Sequence, residues 1–204
     1  MRILGLTGPS GAGKGTVGAA LSRLGFPVLD TDAVYHTHIS GDTPCTRALA
    51  LAFGSEILCE DGSVDRRRLA AVVFCGGEAE REQKARLNAI THGYVLATCD
   101  EWLEEQKAKG VACAVIDAPL LIEARMHERC DLVLAVLAPY ELRLARILAR
   151  DGIPEAAARA RLDAQPKEDF YRAHADLVFV NDGDEEGATA FAQTVADAVT
   201  QLEK

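Results

Sequence analysis

The sequence predicts an α/β fold, a three-layer arrangement with a parallel five-stranded sheet between helices. Three observations carry that expectation. Short apolar runs recur at residues 3–7, 27–29, 112–116, 132–137 and 177–180, and runs that are apolar throughout mark strands buried on both faces. Helical patterns separate these runs, as the crossovers of a parallel sheet require. The first run feeds directly into Gly8-Pro9-Ser10-Gly11-Ala12-Gly13-Lys14-Gly15-Thr16, the strand, glycine-rich loop and helix order of a phosphate-cradling turn.

The loop comes first in the chain and carries the most chemistry. Glycines at 8, 11, 13 and 15 let the backbone take positive φ angles and approach a ligand closely. Successive amides can then converge on phosphate oxygens at a helix N-terminus, where the helix dipole favours negative charge. Gly8, Gly11, Ala12, Gly13, Lys14, Gly15 and Thr16 are therefore the expected nucleotide-binding residues, with Lys14 a point cation for the β- and γ-phosphates. In the standard pattern a hydroxyl residue follows the lysine and touches Mg²⁺, but Gly15 stands there and Thr16 comes one residue later. Magnesium would then be held by phosphates, water and carboxylates from elsewhere, with Thr16 reaching it through water. The form Gly-Lys-Gly-Thr is shared with adenylate kinase-like proteins. The loop alone thus leaves three readings open: a kinase of a small alcohol, a nucleoside or nucleoside-monophosphate kinase, and a nucleotide-binding module without transfer activity.

Residues 14–24 should form the helix after the loop, ended by Gly25. The strand at 27–29 leads into Asp30-Thr31-Asp32. These acids fit a helix N-cap or a solvated turn. They also fit a carboxylate at the carboxyl edge of the sheet, where ligands bind, accepting a proton from a hydroxyl or anchoring water around magnesium. Asp32 is the candidate base and a candidate metal-side residue, with Asp30 in a capping or supporting role. Some eighty helical-looking residues follow, at 44–53, 65–74 and 78 to about 109, with Glu60-Asp61-Gly62-Ser63 a tight turn between the first two. A crossover needs far less chain, so residues 33–110 are expected to be a helical insertion on a core of 1–32, 111–140 and 175–204, all in one domain.

The strand at 112–116 ends in Asp117-Ala118-Pro119-Leu120. Asp117 either places a carboxylate near the metal or caps a helix beginning at Pro119. Glu123 stands a few residues on, as a substrate contact or a surface residue. After the strand at 132–137, residues 140–150 are strongly helical, opened by Pro139 and closed by Asp151-Gly152. Residues 154–165 form a second helix. Arg143, Arg146 and Arg150 repeat at three- and four-residue intervals and so share one face. That face is either solvated or part of a helical lid, at 141–174, that closes on a transferring phosphoryl group. Arg150 is the candidate among the three. The strand at 177–180 and an amphipathic helix at 185–202 end the chain.

Composition limits the function classes. With 49% hydrophobic residues in 204, a substantial core is available. A net charge of −9 disfavours nucleic acid or an anionic membrane as partner, and no apolar run has membrane-spanning length. Six cysteines, at 45, 59, 75, 99, 113 and 130, show no metal-ligand spacing, and reduced thiols in the cytoplasm are expected.

Several separate segments then resemble one family, the dephospho-coenzyme A kinases. The resemblance spans residues 3–183: the glycine-rich loop, Val28-Leu29-Asp30-Thr31-Asp32, and Phe53-Gly54 with Ile57-Leu58, Asp61-Gly62, Asp65-Arg66 and Leu69. It continues through Leu87-Asn88-Ala89-Ile90-Thr91-His92, Asp117-Ala118-Pro119-Leu120-Leu121-Ile122-Glu123, Gln165, Ala175-Asp176 and Asn181-Asp182-Gly183. It implies a P-loop NTP hydrolase-like core with a helical substrate-binding insertion and a lid. The implied activity is ATP-dependent, Mg²⁺-assisted phosphorylation of the ribose 3′-hydroxyl of dephospho-CoA. By position it makes Asp32 the catalytic aspartate, residues 11–16 the ATP-binding segment and Arg150 the lid arginine. His92, Leu120 and Glu123 fall on the acceptor side and Asp117 beside the metal. The sequence departs from the family at Gly15, in place of serine or threonine, and at Gly93, in place of a proline that would kink the long helix.

Overall fold

The computed structural model describes every residue except Cys75, Asp184, Glu203 and Lys204, and leaves out the side chains of Glu185 and Leu202 as well. The chain forms two compact units, one of Met1–Asp30 with Leu103–Lys204, the other of Thr31–Trp102.

The first unit is built on a five-stranded sheet in the order β2-β3-β1-β4-β5. The strands are β1 (Arg2–Thr7), β2 (Val28–Asp30), β3 (Cys113–Asp117), β4 (Leu132–Leu137) and β5 (Leu177–Val180). Every pairing is parallel. β1 lies in the centre, which is why its apolar residues do not alternate with polar ones. On one face α1 (Lys14–Arg23) packs beside α9 (Glu185–Leu202). Leu4, Leu6, Val17, Leu21, Val115, Leu134, Val136 and Val195 meet there, all fully buried. Each such side chain contributes about 1.5–3 kcal/mol by leaving water. On the other face Ile122, Ala135, Leu137 and Tyr171 form a second cluster under α8 (Glu168–His174). Helices α6 (Tyr140–Asp151) and α7 (Glu155–Asp163) pack on each other through Leu144, Ile147, Ala158 and Leu162.

The second unit is helical: α2 (Thr31–His38), α3 (Pro44–Phe53), α4 (Arg66–Val73) and α5 (Gly77–Ala108), whose residues from Leu103 onward belong to the first unit. Local chemistry explains the starts. Thr43 and Thr46 form a reciprocal capping box ahead of α3, with Pro44 in its first turn. Asp65 accepts hydrogen bonds from the amides of Arg67 and Arg68 to cap α4. The Asp61 carboxylate takes the Ser63 amide and holds the predicted turn, with Gly62 at φ +81°. Ile39, Cys45, Leu49, Phe53, Ile57, Val64, Leu69 and Val73 form its core, joined by Leu87, Ile90 and Tyr94 of α5.

Three features differ from the sequence expectations. Thr31–His38 is helical, so Asp32 lies in the first turn of a helix, where a carboxylate is favoured by the exposed amides. Glu168–His174 is also a helix, too short to show a period; its Tyr171 supplies buried area and Glu168 pairs with Arg172 at 2.6 Å. No helix starts at Pro119, so Asp117 is not the cap of one: a run of turns leads to a 3-10 turn at Met126–Arg129. The long helix agrees with its predicted limits: α5 runs unbroken through Gly93, where a Cβ would meet nothing within 4 Å. Among the described cysteines, 45, 99 and 113 are buried and Cys59 is exposed. Burial above all pushes the Cys130 thiol up to about 12. Cys75 lies outside the described residues.

Candidate active site

β1 ends at Thr7 and α1 begins at Lys14, so the six residues between them form the loop. Two glycines are required by contact as well as conformation. At Gly8, φ is +145° and a Cβ would stand 2.1 Å from the Val136 carbonyl oxygen. At Gly13, φ is +96° and a Cβ would stand 2.1 Å from Asn181 Nδ2. Gly11 resembles them, with a Cβ position 2.7 Å from the Arg143 carbonyl oxygen. Gly15 does not. It is an ordinary residue of α1 with nothing within 4 Å, and the positive φ that glycine permits is not used there.

Inside the loop the Ala12 amide donates to the Pro9 carbonyl at 3.1 Å, and the Ser10 amide donates to Gln165 Oε1 at 3.1 Å. The amides of Gly11 and Gly13 have no partner among the described residues, and those of Lys14 and Gly15 head α1, where the helix itself offers them no acceptor. Lys14 is half-buried and has no ion-pair partner among the described residues. Four amide donors and one ammonium at a helix N-terminus make an anion cradle.

The loop's carbonyls are held from outside. Arg143 Nε donates to the Ser10 carbonyl at 2.9 Å, and its Nη2 to Gln165 Oε1 at 2.8 Å. Arg146 Nη1 donates to the carbonyls of Gly11 and Ala12 at 3.1 and 3.2 Å, and its Nη2 to Asn181 Oδ1 at 3.2 Å. Asn181, 3% exposed, donates its own Nδ2 to the Ala12 carbonyl at 2.9 Å. Desolvation lowers the Arg143 pKa from the ordinary arginine value. The three arginines predicted to share one lid face therefore divide: Arg143 and Arg146 hold the loop backbone.

Arg150 lies at the other end of α6 and is bidentate to Asp151, Nε to Oδ1 at 2.6 Å and Nη2 to Oδ2 at 3.0 Å. Arg161 Nη1 from α7 joins Asp151 Oδ2 at 2.5 Å. The Arg150 hydrogen bond, then its charge and those of Arg161, hold the Asp151 carboxyl down to about 2. Arg150 stays 61% exposed.

At the carboxyl edge of the sheet Asp30 and Asp117 are register partners on β2 and β3, and Leu6 is the partner of Asp117 on β1. Paired residues of a parallel sheet face the same side, so both carboxylates project on the Leu6 face, which α1 covers. Sequence reasoning gave Asp30 a supporting place and named Asp117, Asp32 and Thr16 as metal-side candidates; the register sets Asp30 opposite Asp117. Thr16 is exposed in the first turn of α1. These hard oxygen donors suit Mg²⁺, directly or through water, although among the described residues no three His, Cys, Asp or Glu side chains gather.

Leu120, half exposed, and Glu123, exposed, lie in the turns after β3. Burial first, then the Glu123 charge, raise the hydroxyl of the buried Tyr171 to about 12. Asp32 and His92 belong to the second unit, on α2 and α5. There His38 of α2 contacts α5, with Nε2 2.9 Å from Thr98 Oγ1 and its ring 5.8 Å from that of Tyr94. Asp32 is exposed and His92 half-buried. The loop-holding role of Arg143, Arg146, Gln165 and Asn181 was missed from sequence. The available signal was that Asn181 follows β5 at the same sheet edge as the loop.

Comparison with known proteins identifies the family. A family model described as Dephospho-CoA kinase matches residues 2–186. A dephospho-CoA kinase of Anaeromyxobacter dehalogenans is 40% identical over 183 residues, covering 90% of this chain and 85% of that protein. One of Thermobifida fusca is 35% identical over 204 residues, covering 100% and 98%. A crystal structure from Thermus thermophilus superposes with a TM-score of 0.80 at 33% identity, covering 96% of this chain and 97% of that one.

Proposed function

We propose a mechanism from one premise: the chain belongs to the dephospho-CoA kinase family. It has the P-loop kinase α/β fold and phosphorylates dephospho-CoA with ATP, the last step of coenzyme A biosynthesis. The observation that carries the mechanism is the loop: carbonyls pinned outward by Arg143, Arg146 and Asn181, amides of Gly11 and Gly13 left for the ligand, and Lys14 without a protein partner among the described residues.

The amides of residues 11 and 13–15, with the Lys14 ammonium, hold the β- and γ-phosphate oxygens of ATP. Fixing the terminal phosphoryl in line with an alcohol supplies much of the rate, because a loose phosphoryl transition state needs positioning and charge stabilisation more than covalent help. A carboxylate oxygen of Asp32 takes the proton of the ribose 3′-hydroxyl as the new oxygen–phosphorus bond forms and the bond to ADP breaks. Arg150 stabilises charge on the equatorial phosphoryl oxygens. Asp117 and Asp30, with the Thr16 hydroxyl, would hold Mg²⁺ directly or through water. When bound, that ion neutralises phosphate charge. Leu120, Glu123 and His92 are assigned to the acceptor. No membrane-spanning helix occurs among the described residues, and the substrate is a small molecule.

A coupled assay of ADP release tests the reading, with dephospho-CoA compared against AMP, CMP and nucleosides. Turnover should require dephospho-CoA; faster turnover with a monophosphate or nucleoside would reassign the acceptor. Asp32→Asn should lower kcat at least ~10²-fold and leave ADP affinity unchanged. Near-normal turnover in that variant would remove Asp32 from the base role.

A further inference from the structure

Arginines on a helix beside a phosphate loop invite the reading that they touch phosphate. Arg143 and Arg146 make different contacts. Their donors go to three consecutive backbone carbonyls, those of Ser10, Gly11 and Ala12, and to the side-chain oxygens of Gln165 and Asn181.

That arrangement has a geometric consequence. In a trans peptide the carbonyl of one residue and the amide of the next point in opposite directions. With the Ser10 carbonyl turned to Arg143, the Gly11 amide points away from it. With the Ala12 carbonyl turned to Arg146 and Asn181, the Gly13 amide points away as well. The Ala12 amide, between them, closes the internal turn on Pro9. An arginine thus fixes three successive peptide planes from behind, and the two whose amides are not used inside the loop, those of Gly11 and Gly13, are left for the cradle. Without such partners these planes could rotate, since Gly11 and Gly13 tolerate either orientation. Charged donors hold carbonyls about twice as strongly as neutral ones, and two guanidinium charges behind the loop also favour an anion in front of it.

We propose that Arg143 and Arg146 are positioning residues for the phosphates of the nucleotide, acting through the loop backbone and not by contact with the transferred group. Gln165 and Asn181 complete the device. Gln165 Oε1 accepts from both the Ser10 amide and Arg143, so it locks the start of the loop to α6. Asn181 accepts from Arg146 and from the Gly183 amide while donating to Ala12. This inference rests on the reading that the loop binds ATP.

Calorimetric titration of the full chain with adenosine, ADP and ATP tests it, using Arg143→Ala, Arg146→Ala and Arg146→Lys. Both alanine variants should bind ADP and ATP ~10- to 100-fold more weakly, by the same factor for the two nucleotides, with adenosine affinity unchanged. Arg146→Lys keeps the charge, lacks the second arm and should recover only part of the loss. Backbone amide spectra supply an independent check: ADP should shift the Gly11 and Gly13 resonances of the wild-type chain, and less so those of Arg146→Lys. A lowered kcat with ADP affinity intact would overturn the proposal in favour of direct contact with the transferred phosphoryl. Equal losses for adenosine and ADP would overturn it in favour of general damage. Wild-type chain that binds ADP no more tightly than adenosine would instead sink the reading of the loop itself.

Discussion

The two ends of α6 carry the same residue type at helical spacing and make different contacts. Near its start, Arg143 and Arg146 are drawn under the phosphate loop and spend their donors on backbone carbonyls. At its end, Arg150 is 61% exposed and rests on its neighbour Asp151, which Arg161 shares. The first pair is immobilised by a network reaching the loop after β1, α7's trailing residue Gln165 and Asn181 after β5. The second is an ion pair at the surface, worth under ~1 kcal/mol and easily exchanged for another anion. A charge that must meet a phosphoryl only in the transition state is better held in the second way, and a charge that shapes a loop in the first.

Arg150→Ala should break the comparison most visibly if it is mistaken. We expect kcat to fall ~10²- to 10³-fold, the usual loss for a group acting on transferring charge, with ADP affinity unchanged by calorimetry. Weaker ADP binding at normal kcat would make the two ends of α6 alike. Gly13→Ala attacks the other end from the loop side, forcing a methyl group toward Asn181 at a positive φ. It should cost ~1–3 kcal/mol of stability and weaken ADP binding ~10-fold or more; an unaltered melting midpoint and affinity would show that the network yields freely. Gly15→Ala is the matched control, two residues on and touching nothing. It should raise stability by ~0.5–1 kcal/mol, because alanine is the better helix former, and change ADP affinity less than ~2-fold. A loss comparable to that of Gly13→Ala would mean the loop is sensitive to any side chain.

Asp151→Asn should have the smallest effect, and pH reveals it. The folded-state carboxyl is held down to about 2 by its arginines, below the ordinary aspartate range. Its contribution is therefore present at neutral pH, above the unfolded-state value, and is lost as pH falls through that range toward 2. The difference in melting midpoint between wild type and Asp151→Asn should be largest near neutrality and close on acidification. A gap that persisted at pH 2 would assign the effect to something other than the ion pair.

Much of this was legible before the fold was known because it is written locally. The buried strands show as apolar runs, β4 and β5 with the predicted limits, and Pro44–Phe53 and Glu185–Leu202 match their predicted helices. Proline, glycine and acidic caps act on their own neighbours, so they can be read in one dimension. The short helices α2 and α8 could not be, since a helix of seven or eight residues barely completes two turns and owes its stability to what it packs against. Tyr171 in α8 is such a case, buried under a sheet whose strands come from distant parts of the chain.

The sequence by itself determined the phosphate loop and the sheet behind it, because glycine, lysine and apolar runs act through their immediate surroundings. Only the tertiary structure decided which carboxylate stands beside Asp117, which arginines serve the loop, and that Gly15 is free of strain. Those answers depend on strand register and on contacts between residues more than a hundred positions apart, such as Arg146 with Gly11 and Asn181 with Ala12. Helical spacing fixes the face on which a side chain emerges, and only the packed fold supplies the atom that it meets.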